Sequence, residues 1–321
     1  MTGPVVTPPA VADVGIPGRL DALVEHPQLA AVGGALFIAF SGILVEKAAV
    51  SPSTAAVFRG VYALPVLAVL AWFERRRYGP LGSATIGLSL LAGCFFAADL
   101  TFWHHAIADV GAGLATVLGN LQVVIVAFAA WLLYGERPRR SILVALPIVL
   151  VGVVLIAGLV GSTPYGAAPL AGVVLGVLTA FSYAGYLMVI RRGQRDIRRL
   201  AGPLLWATLS MSVVAALAGL IVGDFNPVPS LPAHAWLVLL ALTAQVGGYL
   251  LINFSLPRLP SVVTSLLLLV QPIATVLLAM VLLGEDPSPD QLAGIALVMG
   301  GLAVAVLPFG RLRSAGRSAL T

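Results

Sequence analysis

Residues 122–152 read QVVIVAFAAWLLYGERPRRSILVALPIVLVG and residues 271–301 read QPIATVLLAMVLLGEDPSPDQLAGIALVMGG. Laid on one another without a gap, Gln122 falls on Gln271, Gly135-Glu136-x-Pro138 on Gly284-Glu285-x-Pro287, and Gly152 on Gly301. In each copy a long apolar run leads into Gly-Glu-x-Pro and a second apolar run leads out, the pattern of two hydrophobic helices joined by a very short turn. The comparison extends outward to Phe102–Ile156 of the first copy. Leu, Val and Ala would recur by chance in such a background, but a Gln, a Glu, a Pro and two Gly in register do not. The chain is therefore internally duplicated.

With 60% hydrophobic and 10% charged residues and a mean hydropathy of +1.03, the chain carries more apolar side chain than a soluble core of 321 residues could bury. It reads as a polytopic membrane protein. A bilayer core of about 30 Å asks for about 20 apolar residues per helix, and the backbone must satisfy its own hydrogen bonds there. The apolar runs predict spans at 28–46, 53–73, 82–105, 109–134, 141–160, 168–190, 201–223, 234–256, 260–283 and 289–309. The expected fold is thus an all-α integral membrane protein of ten transmembrane helices, five in a first repeat over 28–160 and five in a second over 168–309. A tail at 1–27 and another at 310–321 flank them. The lone Cys94 excludes an internal disulfide framework and a cysteine-based zinc site.

The tail bears Pro4, Pro8, Pro9 and Pro17, and the first apolar run is long enough to span, so no cleaved signal peptide is expected. Loop charges orient the rest. Arg75–Arg77 follow the second span, Arg137, Arg139 and Arg140 the fourth, Arg191 through Arg199 the sixth, Arg258 the eighth, and Arg311, Arg313 and Arg317 the tenth. With Arg19, these make 16 of the 18 Lys and Arg residues on one side, which the positive-inside rule assigns to the cytoplasm. Both termini are then cytoplasmic, and a single Lys beside abundant Arg, Ala and Gly points to a bacterial plasma membrane. Five spans per half reverses the second half relative to the first, and the charges follow: Glu136-Arg137-Pro138-Arg139-Arg140 is basic where Glu285-Asp286-Pro287-Ser288-Pro289 is acidic. The net charge of +5 is accordingly a signal of topology, and nucleic acid is not an expected partner.

Inverted repeats are a recurrent architecture of secondary transporters, with the solute site near midplane between the repeats. Trp131-Leu132-Leu133-Tyr134-Gly135-Glu136-Arg137-Pro138, Leu282-Leu283-Gly284-Glu285, and Asp99-Leu100-Thr101-Phe102-Trp103-His104-His105-Ala106-Ile107 followed by Gly111–Thr116 together resemble the EamA branch of the drug/metabolite transporter superfamily. The resemblance covers nearly the whole chain. It implies two five-helix repeats and transport, mostly export, of a small metabolite such as an amino acid or a drug-like solute, by proton-coupled exchange or facilitated diffusion. It implies no cofactor. The partners are then the solute, the lipid bilayer and a coupling proton, and assembly as a homodimer is left open.

Gln122 lies about 18 Å along a fourth span entered from outside and Gln271 about 17 Å along a ninth entered from inside, so both fall near midplane. Each either lines a cavity or hydrogen-bonds across a helix interface. Asn120, Thr116, Ser265 and Tyr183 are further candidates for contact with solute. Tyr183 and Tyr186 also suit packing. Among charged groups in the spans, Arg59 lies about 9 Å below the start of the second and Asp99 about 25 Å along the third. They can meet, and the reading preferred here is a fixed ion pair at an outer gate, with a proton or substrate-ammonium site at Asp99 as its rival. Trp103 and His104 belong to the same gate region. His104 and His105 point about 100° apart and so cannot serve one site. His234 and His26 read as solvated.

A membrane-embedded enzyme would need clustered chemistry such as an H-E-x-x-H motif or a nucleophile elbow, and no such motif stands in the sequence. No G-x-x-x-x-G-K phosphate loop occurs either. A structural membrane protein would have little use for paired midplane amides.

Overall fold

The computed structural model describes residues 26–134, 140–160, 164–193, 196, 198–255, 258–259 and 267–306. The two tails, the first Gly-Glu-x-Pro turn and Ser265 lie outside the described residues. Helices are the only regular elements among the described residues: α1 (Pro27–Ala48), α2 (Pro52–Tyr78), α3 (Ser83–Gly119), α4 (Gln122–Tyr134), α5 (Arg140–Ile156), α6 (Pro169–Gly193), α7 (Ala201–Val222), α8 (Leu231–Ser255), α9 (Val270–Leu282) and α10 (Pro289–Val306). Seven of these are long and apolar enough to cross a membrane, while α5 and α9 are apolar but shorter. Large apolar side chains such as Ile221, Leu132 and Val281 stand exposed on the outside. The buried side of α1 is instead built from Ala30, Ala31, Gly34 and Ala35, small residues that let helices approach where lipid gives no hydrophobic drive for association.

The third and fourth spans divide elsewhere than expected. The apolar pattern put a break at 105–109, but α3 runs on through His104–Val110 because Ala106, Ile107 and Val110 are buried against neighbouring helices. It breaks at Gly111 instead, where φ is 86° and ψ is 164°, a conformation open in practice only to glycine. A second break follows at Asn120-Leu121, just ahead of α4.

Glu285 explains why its glycine-glutamate pair is there. Its carboxylate accepts hydrogen bonds from the N–H groups of Ala112 (2.5 Å) and Gly113 (3.1 Å), the first donors after the Gly111 break, which have no partner within the helix. A Cβ on Gly111 would stand 2.7 Å from that carboxylate. Burial pushes the carboxyl of Glu285 above its ordinary range, and the two N–H donors pull it back.

The same device ties α2 to α7. Near the end of α2, Glu74 accepts from the N–H groups of Leu200, Ala201 and Gly202 at the start of α7, each at 2.8 Å. Just past the end of α7, Asp224 accepts from the N–H of Ser53 at the start of α2, at 3.2 Å. The two helices therefore lie antiparallel, each end capped by the other's carboxylate. Helices α5 and α10 are antiparallel too, from Ser141 Oγ donating to the Ala305 carbonyl at one end to a close glycine contact at the other. There, a Cβ on Gly152 would stand 2.7 Å from the Gly294 carbonyl oxygen, and the reverse distance is the same. The recurring glycine of the duplicated unit thus serves close packing.

Candidate functional site

Between the helices lies a cavity of about 70 Å³ lined by Ile38 and Ser41 of α1, Arg59 of α2, Asp99, Leu100, Trp103, Thr116 and Gly119 of α3, Asn120, Thr179 and Tyr183 of α6, Tyr249 of α8, and Gln271 of α9. Of the residues singled out from sequence, Arg59, Asp99, Trp103, Thr116, Asn120, Tyr183 and Gln271 converge here, from positions spread over more than two hundred residues. The volume has room for a few waters. Ligand pockets commonly reach about 300 Å³ or more, well above this volume.

Asp99 and Arg59 dominate the site. Both are buried, at 6% and 1% exposure, and both face the cavity. They interact through space, yet among the described residues no direct ion pair or hydrogen bond joins them. The fixed ion pair expected from sequence is thus corrected: depth along two helices brought the groups to one level but did not fix the direction in which either side chain points. Arg59 is held by another partner, its Nε donating to Gln245 Oε1 at 3.0 Å, while Gln245 Nε2 donates to Thr208 Oγ1 at 3.0 Å. The Asp99 carboxylate accepts no hydrogen bond from a described residue.

The two repeat-related amides part company. Gln271 lines the cavity near the start of α9, and Pro272 beside it falls in the first turn, where a missing N–H costs nothing. Gln122 opens α4 half-buried and outside the lining, so the two do not form the symmetric pair that the repeat suggested. The turn at Asn120-Leu121 is the reason: Asn120 Nδ2 folds back on the Thr116 carbonyl at 2.9 Å, and it is Asn120, not Gln122, that borders the cavity.

Aromatic rings form one wall. Tyr183 lines the cavity and stacks on Tyr186 at 5.7 Å, while Phe96 stacks on Tyr186 at 4.6 Å and meets Tyr249 edge-on at 5.1 Å. Trp103 faces the cavity, but His104, buried with its ring 5.1 Å from that of Trp103, does not line it. His105 diverges from it as the helix requires, its Nε2 lying 3.3 Å from the carboxylate of Asp224. His234 is half-buried, not solvated, because its Nδ1 is hydrogen-bonded to the Tyr62 hydroxyl.

Sequence reasoning missed Ser41, Thr179, Tyr249 and Gln245. Gln245 carried the signal of a polar amide in an apolar span, but its counterpart in the first half is Phe96, so a search for recurring residues passes over it.

A bundle of membrane-length apolar helices around a half-open cavity that carries Arg59, Asp99, Asn120 and Gln271 has the layout of a multi-pass membrane transporter. The chain belongs to the EamA-like transporter family, whose model matches residues 27–158 and again residues 170–307. It is 29% identical over 245 residues to an uncharacterised protein of Pseudomonas aeruginosa, covering 76% of this chain and 80% of that one. A protein of known crystal structure shares the fold, with a TM-score of 0.61 at 20% identity over 88% of this chain and 98% of its own.

Proposed function

We propose that the protein is a secondary transporter that exports a small amino-acid-like metabolite, bearing both an ammonium and a carboxylate, by alternating access. The observation that carries this reading is that Asp99 and Arg59, an acid and a base, face one cavity without pairing with each other. An ionised side chain inside a membrane costs about 2.5–3.5 kcal/mol on insertion scales, and such groups mark substrate and ion pathways. A zwitterion completes both: its ammonium meets the Asp99 carboxylate, its carboxylate meets the Arg59 guanidinium, and Gln271 and Asn120 supply neutral hydrogen bonds. Between solute cycles Asp99 carries the coupling proton. Reconstituted in liposomes, the protein is expected to exchange at least one zwitterion of an amino-acid panel, and a pH gradient should drive its accumulation. Asp99→Asn should abolish the accumulation and slow downhill exchange without ending it, since the amide takes no proton but still accepts a hydrogen bond from the ammonium. Absence of exchange for every zwitterion in the panel overturns the reading.

The moving parts in this proposal are two inverted five-helix repeats in a bacterial plasma membrane, with both termini cytoplasmic. Antiparallel α2 and α7, the second helix of each family match, support the inversion, as do antiparallel α5 and α10. Reporter tags at residues 10 and 318 are expected to read cytoplasm and one beside Asp286 the opposite face. A cytoplasmic signal beside Asp286 would sink the inverted arrangement.

A further inference from the structure

Helix α8 is not uniform. From Ala241 to Gly248 it widens into a π turn, and Gln245 sits within it, fully buried. Isolated π turns insert one residue into a helix and are frequent at functional sites, because the insertion re-aims a side chain that the α register would send elsewhere. The widened turn packs against α1, with a Cβ on Gly248 falling 2.6 Å from the Ile38 side chain.

The amide of Gln245 is oriented by its two partners. Arg59 Nε–H can only donate, so it takes the amide oxygen, which leaves the Nε2 amino group for Thr208 Oγ1. Thr208 is itself fully buried. A guanidinium gripped at Nε cannot turn about its long stem. Its remaining donors, the two terminal amino groups, make no hydrogen bond to any described residue, and the side chain borders the cavity. Those two groups form the planar fork that matches a carboxylate with two parallel hydrogen bonds.

We propose that Gln245, anchored by Thr208 and presented by the π turn, is the positioning residue for anion recognition: it holds Arg59 so that the terminal amino groups receive the carboxylate of the solute. This deepens the transport reading above and rests on the same cavity. Gln245 acts through Arg59 and leaves the ammonium side of the site, at Asp99, untouched. Loss of Gln245 should therefore weaken carboxylate recognition selectively, whereas a merely structural role would weaken everything together.

The test uses the full chain in detergent and three probes, L-alanine and its two halves, propionate and ethylamine, each scored by the concentration giving half-maximal thermal stabilisation. In Gln245→Met the propionate midpoint is expected to rise about tenfold or more, because Arg59 is no longer held to receive it, while the ethylamine midpoint stays within twofold. Gln245→Glu keeps an acceptor for Arg59 Nε and so retains the interaction that folding uses, but its charge competes with the incoming carboxylate. It should lose propionate to the same degree and keep ethylamine. Equal loss of both probes, or wild-type propionate response in Gln245→Glu, overturns the proposal while leaving the transport reading in place. No response of the unaltered protein to any of the three probes overturns both.

Discussion

Replacement of Arg59 by Met is expected to lower the initial rate of zwitterion exchange by about a hundredfold or more, with yield and membrane insertion close to those of the unaltered protein. Truncating one partner of a buried, hydrogen-bonded charge pair costs about 2–5 kcal/mol, and here the truncation removes the guanidinium that receives the solute carboxylate. Folding is expected to survive because Met fills much of the volume of the Arg stem and removes a buried charge whose only hydrogen bond to a described residue is to Gln245. Arg59→Lys keeps the charge but loses the planar fork, and should fall between the two. Counterflow in liposomes decides the matter. Wild-type rates in Arg59→Met would place the solute carboxylate elsewhere.

The second large effect is on folding and lies far from Arg59 in sequence. Gly111→Val is expected to give little or no monodisperse protein, and Gly111→Ala a clearly lower thermal midpoint by fluorescence-detected gel filtration. At φ 86° and ψ 164° a residue with a side chain is strained by about 1–3 kcal/mol, and a β-branched one by more. The added carbon also displaces the Glu285 carboxylate, uncapping Ala112 and Gly113, at a further cost of about 1–3 kcal/mol for buried groups left unsatisfied. Against a total stability on the order of 5–15 kcal/mol, the two together are decisive. A wild-type midpoint in Gly111→Val would mean that the break between the two segments of α3 is not needed.

What could be read from sequence was whatever composition and depth determine. A polar group amid Leu and Val is conspicuous, so Asp99, Arg59, Gln271, Asn120, Thr116 and Tyr183 were found as candidates, but distance along a helix put Gln271 near midplane and Arg59 and Asp99 at an outer gate, whereas they line one cavity. Helix breaks and side-chain azimuth were not legible. The break at Gly111, and the turn that sends Asn120 instead of Gln122 to the cavity, depend on interactions with Glu285 and on local backbone geometry that no hydropathy pattern carries. The absence of a direct Asp99–Arg59 pair is the same kind of failure. Gln245 escaped for a different reason: duplication is a guide only to what both halves kept, and apart from Gln271 the site is built largely from what they did not. Ser41 and Thr179 are small hydroxyls, common in membrane helices, and nothing in the sequence distinguishes those that border a cavity.

The crossed carboxylate caps of α2 and α7 bear on how the protein is made. While the ribosome is still producing the second half, the start of α2 is already in place but Asp224, which caps Ser53, has not been synthesised. The start of α7, by contrast, meets a Glu74 that is waiting for it as it emerges. The first half is therefore an unfinished insertion intermediate whose helix start is completed only from downstream, and a gene cut between residues 158 and 170 yields two polypeptides that each lack a part the other carries. Produced alone, each is expected to leave a helix start uncapped. Produced together, they hold the complementary ends required to find one another in the bilayer and restore the whole.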